Sequence, residues 1–190
     1  MGIRKGLTQE EIELLQEVET YLYYRLDQVL ATRDYTATAL DIENTKTYLE
    51  LQYEKVEISF AYRGTSAKAA TRAAVVGLKP RWDPWGYNFA WINLTDDMAA
   101  AFAFGALASS DVGILKIDCT GLEVYDLGPL YAGGSWYATV EEIAPERIEI
   151  VGYCTVPEEI RFRIYDYTMG RKEVAIEAKK ALDEFCKIVF

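Results

Sequence analysis

Arg63 leads Gly64 out of an apolar run in the stretch "YRGTS", and an alanine-rich helical pattern follows. A guanidinium offers planar, bidentate recognition of phosphate or carboxylate, and a glycine lets a ligand approach the backbone closely. An arginine at a strand end can equally make a surface ion pair, and the pentapeptide alone leaves both readings open. A second junction, "WINLTDD", brings Thr95 to the end of a strand where a helix starts, with Asp96 and Asp97 in its first turn. That placement suits the positive end of a helix, and Thr95 is the expected N-cap. In "WYATVEE", alternation puts Trp136, Ala138, Val140 and Glu142 on one face and Tyr137, Thr139 and Glu141 on the other. The first face is the more apolar and is assigned to the core. Glu141 then shares the other face with Tyr137 and Thr139, as a candidate catalytic acid or as a solvated strand-end acid.

The chain has no histidine among its 190 residues, and its three cysteines, Cys119, Cys154 and Cys186, are widely spaced. A Cys/His zinc site, a Ser-His-Asp triad and a histidine base are thereby excluded. Any catalysis must run on carboxylates, hydroxyls, thiols, Lys, Arg or Tyr. The net charge of −10 lowers the expectation of a nucleic-acid partner, since no basic cluster offers phosphate neutralisation. A small ligand or a protein partner fits better. No apolar run reaches the roughly 18 residues of a membrane helix, and the first residues lack a signal-peptide core, so no membrane association and a cytoplasmic location are expected.

These residues need elements to hold them. Thr8 and Glu11 form a capping box ahead of apolar residues at helical spacing, predicting a helix over 9–31. A second helix is expected over 42–53. "VEISFAY" reads as one strand, and Ser66 caps a helix that Gly77 ends. A loop with Trp82 and Trp85 leads to the strand before Thr95. Further strands are expected at "GILKIDC", "LEVYDL", "WYATV", "RIEIVGYC" and "PEEIRFRIYDY", with a closing helix from Arg171. Early helices and later runs of strands predict an α+β fold with a mixed or antiparallel sheet. The expected division is an N-terminal helical lobe at 1–55, a core at 56–154, and a C-terminal strand and helix at 155–190 packed on the core.

The order "YRGTS", "GLKP", "WINLTDDMAAAFA", "GILKIDCTGLEVYDL", "YATVEEIAPERIEIVG" resembles the ADP-ribosyltransferase superfamily, over roughly half the chain between Val56 and Gly152. "IAPERI" is similar to the phrase that commonly closes that domain. The resemblance implies a split, mostly antiparallel sheet that clasps NAD, with an N-terminal helical extension and a C-terminal helix outside it. It implies that NAD is bound through Arg63, Gly64, Thr65, Thr95 and Tyr137, with Trp82 and Trp85 able to cover the nicotinamide. The implied activity is cleavage of the nicotinamide–ribose bond with transfer of ADP-ribose to an acceptor, a protein more readily than a nucleic acid. Glu141 would be the catalytic carboxylate. The chain departs from the family where its glutamate is commonly found: that position holds Trp136. The Glu-x-Glu signature and the histidine of the RNA 2′-phosphotransferase branch are also missing. A non-catalytic module that binds a nucleotide or a protein partner on the same scaffold is the alternative.

Overall fold

The computed structural model describes residues 6–84, 86, 88–130 and 134–161. Helix α1 (Gln9–Thr32) opens on the expected capping box, with Thr8 and Glu11 bonding each other's backbone N–H. Its Leu15, Val18, Leu22, Leu26 and Val29 stripe is buried, as a one-sided helical pattern requires. Helix α2 (Ala39–Gln52) starts ahead of the expected Ile42, because Thr38 and Asp41 make a second capping box.

Asp41 does more than cap. Its carboxylate is fully buried and accepts from Tyr21 Oη at 2.8 Å, Arg25 Nε at 2.9 Å and Nη2 at 3.1 Å, and Trp82 Nε1 at 3.2 Å. One residue thus ties α1, α2 and the loop before the third strand together. Trp82 is wholly buried at this tie and is not placed to cover a ligand, contrary to expectation. Trp85 lies outside the described residues.

The expected single strand over 56–62 is two strands. β1 (Glu54–Val56) lies at a sheet edge, while β2 (Phe60–Ser66) lies inside the sheet. Alternation marks a segment as extended but does not say which partner it joins. After β2 come α3 (Ala67–Val76), β3 (Ile92–Thr95), α4 (Met98–Ala108), β4 (Asp111–Asp118), β5 (Val124–Pro129), β6 (Ser135–Thr139) and β7 (Ile148–Thr155). The fold is α+β, and every described strand pairing is antiparallel, in the order β1-β5-β6-β3-β2-β4-β7. β2 pairs with β4 from Phe60↔Asp118 to Ser66↔Val112, but its only pair with β3 is Tyr62↔Thr95. The sheet is therefore nearly parted between β2 and β3.

Helices bury three apolar clusters against this sheet. α1 and α2 pack with Trp82, Phe89, Trp91, Tyr125, Ala138 and Val140. Ala70 and Ala73 of α3 join Ile92, Leu94, Leu115, Ile117 and Tyr137. Phe102, Ala103 and Ala106 of α4 meet Val112 and Ile114. α4 lies so close to β2 that a Cβ on Gly64 would stand 1.6 Å from the Ala101 carbonyl oxygen.

Thr95 is not the N-cap of α4. It is held in the ladder between Tyr62 and Trp136, so the helix starts later, on Asp97, whose carboxylate accepts from the N–H groups of Ala99 and Ala100. Residues 158–161 are helical where a strand is expected. The N–H groups of Ile160 and Arg161 both bond the Pro157 carbonyl, and proline ahead of two acids is a helix start. Arg161 donates to the carbonyls of Ala106 and Leu107, satisfying the C-terminus of α4. The rest of the expected strand and the closing helix lie outside the described residues. Among those described, no helix is long and apolar enough to cross a membrane.

Candidate functional site

A strand ladder that stops after one pair leaves backbone groups that need other partners. Arg63 supplies one, because its Nη1 donates to the Asn93 carbonyl at 2.8 Å across the gap between β2 and β3. Beside this contact a shallow cleft with a volume of about 30 Å³ is lined by Tyr62, Arg63 and Gly64 of β2 and by Asn93 and Thr95 of β3. Phe104 of α4 and Trp136 of β6 complete an aromatic wall, their ring centroids 6.3 Å apart.

Asn93 organises the cleft and was not singled out from the sequence. Its Oδ1 accepts from Trp91 Nε1 at 2.6 Å and from Trp136 Nε1 at 3.0 Å. Both indoles can only donate, so the amide oxygen must face them. The signal available in the sequence was a lone amide inside the apolar strand "WINL", since such a group must find partners when buried.

Of the residues expected to bind a ligand, Arg63, Gly64 and Thr95 line this cleft. Thr95 is buried, and its hydroxyl accepts from the Asp97 N–H. Thr65 lies further along β2, against Gly105 of α4. Tyr137 is buried in the cluster with Leu94 and Ile117, its hydroxyl donating to Asp96 Oδ2. Glu141 stands beyond the end of β6, where it accepts from the Glu123 N–H at 3.3 Å. On the face of β6 assigned to the core, Ala138 and Val140 are buried with residues of α1 and α2 as expected, while Trp136 enters the cleft; Tyr137, on the other face, is packed in the interior as well. Both faces of the sheet are covered, so apolar character does not distinguish them. Gly64 owes its lack of a side chain first to the backbone of α4.

Burial pushes the Arg63 guanidinium down to about 10, with nearby Arg81 acting in the same sense and Asp83 against it. It stays protonated at neutral pH. Among the described residues the guanidinium makes one hydrogen bond and no ion pair, and no carboxylate is among the described residues that line the cleft. The arrangement sets one buried cation beside an aromatic wall.

Compared with known proteins, the chain matches no family model, and no curated protein matches it.

Proposed function

We propose that the protein is an ADP-ribosyltransferase-like module that binds NAD in the cleft between β2 and β3. The observation that carries this reading is the meeting of Arg63, Gly64 and Thr95, which lie far apart in sequence, around one cleft. The single ladder pair between β2 and β3 supports a split-sheet arrangement of that type.

Between transfer and binding alone, Trp136 favours binding. Cleavage of the nicotinamide–ribose bond passes through an oxocarbenium-like state that needs negative charge fixed beside the ribose. Trp136 fills the position where the family's glutamate is commonly found, and the cleft offers a cation instead. A transferase reading would have to recruit Glu141 from the end of β6.

Incubating the purified protein with NAD tests both readings. The expected result is saturable binding by calorimetry without nicotinamide release. An Arg63→Lys variant keeps a donor for the Asn93 carbonyl but loses the planar fork, and it should bind about tenfold more weakly or worse. Nicotinamide release that Glu141→Gln abolishes would establish the transferase reading instead. Absence of NAD binding would sink the proposal.

A further inference from the structure

The chain is acidic overall, yet no Asp or Glu lies between Glu57 and Asp83, a stretch that contains the whole of α3. Ala70 and Ala73 bury one side of this helix on the sheet. Its opposite side shows Lys68 and Arg72, one turn apart, and then Val75 and Val76, which are 71% and 57% exposed. The helix itself gains nothing from these residues. A lysine in the first turn opposes the helix dipole, and adjacent β-branched residues in the last turn are poor helix formers. Neither Lys68 nor Arg72 makes an ion pair with a described residue.

The outward side of α1 carries a matching set. Opposite its buried stripe stand Glu13 and Glu17, one turn apart, followed by Thr20 and by Tyr24, which is 63% exposed. Glu13 accepts from Gln9, and neither glutamate makes an ion pair with a described residue. With the two helices side by side and pointing the same way, Glu13 falls beside Lys68 and Glu17 beside Arg72. The Tyr24 ring then falls over Val75 and Val76, since helical side chains lean toward the N-terminus. The two surfaces cannot meet within one molecule. α1 packs in the cluster that holds Ala138 and α3 in the one that holds Tyr137, and these are successive residues of β6. Successive strand residues point to opposite faces, so the two helices cover opposite faces of the sheet.

We propose that the outward face of α3 binds the outward face of α1 on a second copy of this chain. The contact is head to tail, because each copy offers a different surface to each neighbour. Association is then open-ended unless it closes into a ring. A ten-residue helix covers much less than a standard interface, so the contact is weak and forms at high protein concentration.

Sedimentation velocity of the full chain over a range of concentrations tests this pairing. The average mass of the wild type is expected to rise with concentration. Arg72→Glu and Glu17→Arg should each move that rise to concentrations about tenfold higher or beyond. Their far-ultraviolet circular dichroism should stay unchanged, since both side chains are exposed. An equimolar mixture of the two variants should associate again, because each then meets a complementary face on the other. Glu17→Arg also separates the pairing from overall repulsion between acidic molecules. It loses an acid and gains a base, which takes the net charge from −10 to −8, and weaker repulsion alone would strengthen association. Stronger association of Glu17→Arg therefore overturns the proposal. So does a wild type that stays monomeric at every concentration, or a mixture of the variants that does not associate. Association lost in Arg72→Glu but kept in Glu17→Arg would seat some other surface on α3, and it overturns the pairing with α1.

Discussion

Gly64→Ala is expected to destabilise the protein by about 3 kcal/mol or more, enough to leave much of the chain unfolded or insoluble. The added methyl would stand 1.6 Å from the Ala101 carbonyl oxygen and 2.5 Å from its carbon. Both are backbone atoms of α4, so no side chain can swing aside, and the helix itself would have to lift from β2. Urea unfolding monitored by circular dichroism measures the loss. A useful control is Gly121→Ala, at φ +76° with nothing within 4 Å of the new Cβ. It should cost about 1–2 kcal/mol, from backbone strain alone. Equal losses at the two sites would show that α4 is not seated on β2 as described. Because Gly64 also lines the cleft, ligand binding by the variant should be compared only over its folded fraction.

The second large effect is at Asp41. Asp41→Ala is expected to cost about 3–5 kcal/mol, because it strands the Arg25 guanidinium and the Trp82 N–H without their shared acceptor. The wild-type protein should also show a pH signature. Burial alone would raise the Asp41 carboxyl, but hydrogen bonds from Arg25, Thr38, Tyr21 and Trp82 outweigh it and hold the group well below the usual carboxylate range. A depressed folded value means the stabilisation is fully present above the unfolded value of about 3.9 and is lost as pH falls toward the folded one. Asp41→Asn should therefore flatten the decline of stability between about pH 5 and pH 2, as read by urea unfolding at each pH. Glu123, held down to about 2 by Lys46 and then Lys55, titrates in the same window. Its ion pairs are solvent-screened, so Glu123→Gln should flatten the curve much less. An unchanged acid limb in Asp41→Asn would overturn the assignment of that limb to Asp41.

The local grammar of the chain was legible, and its long-range pairing was not. Thr8 with Glu11 and Ser66 with Ala69 act as the sequence predicts, because caps are bonds between near neighbours. Thr38-x-x-Asp41 carries the same signal, just ahead of the expected start at Ile42. The break between β1 and β2 could not be read locally, since the partner strands β5 and β4 lie far along the chain. The cleft was legible at Arg63 and Thr95, whose residue types announce binding or capping. It was hidden at Asn93 and Trp136. Their importance comes from meeting across β3 and β6, and no spacing in either strand encodes that meeting.

The gap beside Arg63 also limits how the chain can be divided. On one side of it stand β1, β5, β6 and β3, and on the other β2, β4 and β7. In chain order these sets interleave, so no single cut releases either half with all its strands. A complementary pair of fragments, split anywhere between β2 and β6, would each have to supply strands to both sides of the gap to rebuild the sheet. The line that is weakest in hydrogen bonds is thus topologically stitched. The chain crosses it between β1 and β2, β2 and β3, β3 and β4, β4 and β5, and β6 and β7. Opening of the cleft is confined by those crossings to a flexing of one body, and the two halves cannot drift apart as separate domains.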